Sequence, residues 1–369
     1  MNFSLSDDHE ALRASAQNFL DKEVDLSSLL VPGATVAKSG YDELWEKIAG
    51  MGWPGLIIPE AYGGLGMDYI DLVMIIGETG RTLAPAPLFG TLAGSWAILA
   101  GGSEEQKAAL LGLVAAGETK LAFAIADSGG SYEPGADEVI ANASGGEYIL
   151  TGNRSFVVDA AAADKIIVAA SLNGARRYFV VDRAAVAAEL LEWRDITRQV
   201  ASVRLEGAAA ELLEGDAASV WPFVRNRLYL LLAAESAAGT QAALTDAVDY
   251  AKQRVAFGRP IGAFQAIKHQ LAEIAGQAEC AGAAVQYAAW TLSVDDPRAT
   301  LAATMAQSYA SEAYCNATYR NIQVFGAIGF TWEMKNHLFY KRARCNAELL
   351  GSPRQQREEV VSFLEREAA

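Results

Sequence analysis

Residues 4 to 118 place apolar side chains at helical spacing between polar ones. "SDDHEALRASAQNFLDKEV" opens with Ser6 or Asp7 as an N-cap and continues as an amphipathic helix. "YDELWEKIAGMG" and "SEEQKAALLGLVAAG" repeat the pattern, and each ends in glycine, which turns a helix off by accepting left-handed backbone. Between them, "IIPEAYGGLGMDY" reads as a loop with tight turns. From about Lys120 to Glu214 the period shortens. "KLAFAIAD", "EYILTG", "SFVVD", "KIIVAAS" and "RYFVVD" read as strands separated by Gly, Asn and Asp, which predicts an antiparallel β-domain and not βαβ units. From Trp221 onward the chain is helical again, in four long stretches: "RNRLYLLLAAESAAGTQAALTDAVDYAKQRVAF", "FQAIKHQLAEIAGQAECAGAAVQYAAWTL", "DDPRATLAATMAQSYASEAYCNATYRNIQVFG" and "EMKNHLFYKRARCNAELL". Their alanines allow close helix approach. The expected fold is α+β: an N-terminal helical domain (1–118), a middle antiparallel β-domain (119–217) and a C-terminal four-helix bundle (218–369). Residues 345–360, "CNAELLGSPRQQREEV", read as a polar, glycine-turned stretch after the last helix.

Composition narrows the function classes. The chain has 369 residues, 30 basic and 45 acidic, for a formal net charge of −15. So acidic a surface disfavours nucleic acid and anionic membrane as partners, but leaves room for an anionic small ligand at a local basic patch. The most basic run is Lys335, His337, Lys341, Arg342 and Arg344. It reads either as a phosphate-binding patch or as a solvated helix face. Residues 83–103 carry no charge, but two prolines and four glycines interrupt them, so a buried helix after a loop is expected there and not a membrane span. The N-terminus lacks the features of a signal peptide, and the three cysteines have no CxxC spacing. Both point to a reduced, cytoplasmic protein. With three scattered histidines and no HExxH, no metal site is expected. There is no GxGxxG, no Walker A lysine loop and no GxSxG.

Residues 254–274, "RVAFGRPIGAFQAIKHQLAEI", together with "QVFGAIGFTWE", "GWPGLIIPEAYGG", "GRTLAPAPL" and "YILTGNRSFVVDAAAADKIIVAA", resemble the acyl-CoA dehydrogenase family, in the family's order and over nearly the whole chain. The "GFTWE…HLFYKRA" segment resembles bacterial subunits acting on steroid side-chain CoA esters, which pair as two different chains. The resemblance implies FAD as cofactor, an acyl-CoA substrate desaturated between its α and β carbons, an electron-transfer flavoprotein as acceptor, and a homo- or hetero-tetramer in which each FAD crosses an interface. It places Arg254 on the FAD pyrophosphate of a neighbouring subunit, Phe257 and Gln265 at its adenine end, and Gln323 and Gly326 beside the same pyrophosphate. The plain alternative for Arg254 is a solvated helix-end cation beside Asp249. Phe156 and Val158 fall on the flavin face, where the family commonly has Trp-Ile-Thr or Trp-Ile-Ser. Phe156 keeps a ring, while Val158 loses the hydroxyl, and Ala126 stands where a threonine is common.

The same resemblance exposes a gap. The chemistry needs a base for the α-proton, and a carboxylate in a dry pocket serves best. The family's glutamate before a Gly-Thr pair corresponds to Leu350, before Gly351-Ser352. Its second base position, on the first long helix, corresponds to Tyr229, a phenol of pKa about 10 and a poor base. Two carboxylates lie nearby in sequence. Glu348 falls on the wrong side of a helix. Glu235, inside an apolar stripe, is the one weak catalytic candidate. Its alternative is a structural ion pair with Arg254 or another cation of the bundle. Three readings follow: a complete acyl-CoA dehydrogenase with an unconventional base, a non-catalytic subunit that completes a partner's FAD site, or a flavin oxidase or monooxygenase on the same fold.

Overall fold

The computed structural model describes residues 5–36, 38–132, 138–144 and 147–368. Five helices form the N-terminal part: α1 (Asp7–Glu23), α2 (Lys38–Gly50), α3 (Tyr69–Thr82), α4 (Leu88–Gly101) and α5 (Glu104–Ala115). Ser6, Asp68 and Ser103 cap α1, α3 and α5 through side-chain oxygens that accept otherwise unpaired backbone N–H groups. The uncharged stretch becomes the buried helix α4. Its glycines let it press onto the sheet: a Cβ on Gly94 would lie 2.5 Å from Leu121, and one on Gly90 would lie 2.9 Å from the Val158 carbonyl. No helix of the described residues is long and apolar enough to cross a membrane.

Seven strands follow: β1 (Leu121–Ala124), β2 (Ile140–Ser144), β3 (Glu147–Val158), β4 (Lys165–Leu172), β5 (Ala175–Asp182), β6 (Ala187–Leu190) and β7 (Val200–Leu212). The expected runs "EYILTG" and "SFVVD" are one strand, β3, bent by a bulge between Arg154 and Val157. Strands β2, β3, β7, β5 and β4 pair around a closed circuit, with β1 added to β4 and β6 to β7. The sheet is largely antiparallel, but β1 runs parallel to β4. These two strands are joined through the β2–β3 hairpin and not by a turn, and only such a long crossover permits parallel pairing.

The C-terminal part contains the four expected helices, α6 (Ala217–Gln253), α7 (Gln265–Ser293), α8 (Ala299–Phe325) and α9 (Asn336–Glu348). Small residues set the spacing between them: a Cβ on Gly239 of α6 would lie 2.4 Å from the Tyr314 ring of α8. A fifth helix, α10 (Pro353–Ala368), replaces the expected polar stretch. Ser352 starts it, accepting from the Gln355 backbone N–H while its own N–H donates to Gln355. Between α6 and α7 the chain makes a short hairpin, β8 (Val255–Ala256) and β9 (Arg259–Pro260), whose turn residues Phe257 and Gly258 both have positive φ.

Candidate active site

The turn between α9 and α10 carries Leu350 in left-handed backbone, φ 67°, with its side chain buried. Tyr229 lies on the buried face of α6, and its hydroxyl donates to the Leu350 carbonyl at 3.3 Å. The two positions expected from the resemblance to carry a base are therefore in contact, and neither carries a carboxylate. The Arg225 guanidinium covers the Tyr229 ring at 5.8 Å. Glu348 ends α9 with its side chain exposed.

Glu235 is 6% exposed and lies in a built ionic cluster. Arg198 Nη2 donates to both of its carboxylate oxygens at 2.7 Å, Asn346 Nδ2 donates to it at 3.1 Å, and Arg342 Nη1 lies 3.6 Å away. Arg342 also binds Asp195, whose oxygens accept from the Thr197 backbone and hydroxyl. Burial pulls the Arg342 guanidinium down, but Asp195 and Glu235 more than offset it and hold it charged. The cluster ties the loop after β6 to α6 and α9. Arg254, suggested above as a partner for Glu235, sits about five helical turns away at the end of α6. A carboxylate that accepts three hydrogen bonds from Arg198 and Asn346, with a second guanidinium beside it, suits a structural ion pair better than a base. The cations and the asparagine come from segments more than thirty residues distant, so no sequence motif announces them.

Burial pushes the neighbouring Asp159 carboxyl up to about 6, against the pull of the Gly90 N–H and Arg198. It accepts from the Tyr41 hydroxyl at 2.9 Å and from the Gly90 N–H at 2.8 Å, joining α2 and α4 to the end of β3. A cavity of about 20 Å³, lined by Tyr41, Thr79, Phe89, Arg198, Glu235 and Arg342 among others, lies beside this network. It is large enough for one water molecule and too small for a substrate.

The residues expected at a flavin face, Phe156 and Val158, lie where β3 bulges. Phe156 has φ 55° and packs against Trp193 with ring centroids 6.2 Å apart. A Cβ on Gly130 would lie 3.4 Å from the Phe156 ring, and the Ser155 backbone N–H donates to the Ala126 carbonyl at 3.1 Å. Val158 is buried. Ala126, Phe156 and Val158 thus present methyl groups and one ring, with no side-chain donor. They do not fit the heteroatom edge of a flavin.

The other half-site is built differently. Arg254 is exposed and forms no ion pair among the described residues, because Asp249 lies beside Lys252 instead. Phe257 is 95% exposed at the hairpin turn. Gln265 is exposed in the first turn of α7, and Gln323 and Gly326 are exposed where α8 ends, Gly326 with φ 72°. Phe330, 66% exposed, extends the same surface. A guanidinium without an ion pair among the described residues, two side-chain amides and an exposed ring have the chemistry to hold a pyrophosphate and an adenine. The basic run of α9 forms no such patch. Arg342 and His337 are buried, and Lys335 pairs with Asp246 at 3.3 Å. Burial and Lys341 together push the His337 imidazole down to about 4, so it is neutral.

The architecture has three parts, helical, β and helical, and comparison with known proteins makes the class specific. The description "Acyl-CoA dehydrogenase, N-terminal domain" matches residues 6–118, and "Acyl-CoA dehydrogenase, C-terminal domain" matches residues 214–364. The chain is 33% identical over 363 residues to "Acyl-CoA dehydrogenase IpdE2" of Mycobacterium tuberculosis, covering 98% of this chain and 97% of that one. The chain belongs to the acyl-CoA dehydrogenase family. Its fold superposes on butyryl-CoA dehydrogenase from Megasphaera elsdenii with a TM-score of 0.89 at 24% identity, covering 99% of this chain and 100% of that one. For the ChsE4-ChsE5 complex from Mycobacterium tuberculosis the TM-score is 0.86 at 23% identity, covering 99% of both chains.

Proposed function

We propose that this chain is the non-catalytic subunit of a heteromeric FAD-dependent acyl-CoA dehydrogenase. It lends the pyrophosphate and adenine half of a flavin site to a partner chain that carries the base. The observation that carries this reading is the contact between Tyr229 and Leu350: both expected base positions are occupied by side chains unsuited to accept a proton, and the Tyr229 hydroxyl donates to the Leu350 backbone carbonyl. The carboxylate of Glu235 is bound to Arg198 and Asn346.

The assembled enzyme would desaturate an acyl-CoA between its α and β carbons, with a bulky steroid-type acyl group as the substrate class and an electron-transfer flavoprotein as acceptor. FAD supplies the hydride acceptor. Arg254 neutralises pyrophosphate charge, Gln265 and Gln323 supply amide donors, and Phe257 offers a ring to the adenine. None of these residues moves a proton. Their role is to hold and orient. A flavin oxidase or monooxygenase would need no α-carbon base, but it would still need donors on the flavin face, where Ala126 and Val158 stand.

The test is purification of the tagged chain from its source organism, with mass spectrometry of whatever accompanies it. The expected result is a stoichiometric second acyl-CoA dehydrogenase chain with glutamate at the position equivalent to Leu350 or Tyr229. A homotetramer that dehydrogenates octanoyl-CoA would defeat the proposal.

A further inference from the structure

We infer that Arg227 and the Tyr69 hydroxyl form a binding site for an oxyanion, the carboxylate or phosphate group of a small ligand. The site lies where the start of α3 meets α6 and the end of α7. It does not depend on the reading of Tyr229 and Leu350.

Arg227 lies on α6 and is 6% exposed. Its Nε donates to the Tyr69 hydroxyl oxygen at 2.5 Å, and its Nη1 donates to the Phe223 carbonyl at 2.9 Å. The guanidinium carbon is 3.2 Å from the Phe223 ring centroid and 5.0 Å from that of Tyr69. Among the described residues it forms no ion pair. Arg198 and Arg342 are comparably buried, and each sits on a carboxylate. Burial pulls the Arg227 guanidinium below its ordinary value, offset in part by Tyr69 and, through space, by Asp295.

A buried cation is costly unless a counterion and hydrogen bonds match it. The two rings recover part of that cost, but they accept no N–H. A guanidinium has five N–H donors, and two are used here. Nη2 and Nε are the pair of arms that grip the two oxygens of a carboxylate. The Tyr69 phenol takes the Nε arm. Nη2 makes no hydrogen bond among the described residues and is not sealed from solvent.

A phenol that accepts still has its own proton to give. The Tyr69 O–H has no acceptor among the described residues, and burial pushes the phenol up, so it keeps that proton. The Nη2–H and O–H donors are therefore neighbours that one oxyanion can satisfy together. The phenol is fixed in place, because the Tyr69 backbone N–H donates to Ser293 Oγ at 3.1 Å and that hydroxyl donates to the Ala289 carbonyl. Trp96 packs on the Tyr69 ring with centroids 6.5 Å apart, is fully buried, and has no acceptor for its Nε1. Buried donors are ordinarily paired, so unmet donors around one phenol call for an acceptor from outside the chain.

The test is isothermal titration of the full chain with inorganic phosphate and with acetate, at constant ionic strength in chloride. Saturable binding of one of them at one site is expected, and the tighter anion names the group. Arg227→Met should weaken it at least tenfold and Tyr69→Phe several-fold, while Arg254→Ala leaves it unchanged. Cooperative melts identify the variants that fold, and if Arg227→Met does not, Tyr69→Phe decides, since it removes a single hydroxyl. Failure of the wild type to bind either anion would overturn the inference. So would unchanged binding in folded Arg227→Met or Tyr69→Phe, or loss of binding in Arg254→Ala. None of these results bears on whether a partner subunit carries the base, which the purification above decides separately.

Discussion

Arg254 and Arg198 are both arginines of a divided site, and their surroundings are opposite. Arg254 ends α6 in solvent, with no ion pair among the described residues and an exposed phenylalanine three residues on. Arg198 is 7% exposed, with Nη2 on Glu235, Nη1 on Asn346 and its guanidinium 4.8 Å from the Phe89 ring centroid. A buried charge must be matched within the fold or it destabilises the fold. An exposed, unmatched charge costs little to keep and remains free to meet an anion brought by another molecule. On the proposed reading, the exposed half-site keeps groups that still need a ligand, whereas the Glu235 carboxylate is already matched inside the fold, and that contrast separates a subunit that completes a neighbour's site from one that runs its own reaction.

The largest expected effect falls on the satisfied side. Glu235→Ala leaves the buried Arg198 without its carboxylate and removes the second of the two carboxylates beside Arg342, and should lower unfolding free energy by about 3–5 kcal/mol in urea titrations. If stability were unchanged while turnover by the assembled enzyme vanished, Glu235 would be a base and the contrast would collapse. Asp159 gives the next effect. Its folded carboxyl is raised to about 6 from an ordinary value of 3.8, so its contribution is fully present below pH 3.8 and is lost as pH rises through 6. Tyr41, Arg198 and Arg342 are the titratable and charged groups facing it. Between pH 7 and pH 4 the wild type should gain about 2 kcal/mol relative to Asp159→Asn, which cannot titrate. Parallel urea curves for the two proteins across that range check it.

On the lent side, Arg254→Ala should leave the chain's melting temperature unchanged and weaken FAD retention by the assembled enzyme about 10- to 100-fold, the loss of one charge-assisted contact of about 1.5–3 kcal/mol. Fluorescence titration of the apo-complex with FAD measures this. An equal loss of stability would place Arg254 with Arg198 and erase the distinction. The smallest effect is Tyr229→Phe. Removing one 3.3 Å hydrogen bond to the Leu350 carbonyl should cost about 1 kcal/mol in chemical denaturation and change no activity of the assembled enzyme.

Legibility in the sequence followed the range of the interactions. Helices α1, α2 and α4 to α9 were readable because their periodicity is local, whereas α3 was not singled out; Leu350 and Tyr229 drew notice because motifs resembling the family's flank them. Helix α10 was missed because "RQQREEV" is too polar to show an apolar stripe. Strand β7 was missed because "GAAA" interrupts its alternation. The burial of Glu235 was readable from the apolar stripe around it, but its partners were not: Arg198 and Asn346 reach it across 37 and 111 residues of sequence.

One measurement decides between a lent half-site and a complete one: the visible absorbance spectrum and native mass of the chain purified alone with excess FAD, before and after addition of octanoyl-CoA. A colourless or substoichiometric protein whose residual flavin is not bleached is the expected result. A yellow homotetramer with one FAD per chain, bleached by octanoyl-CoA, would contradict it.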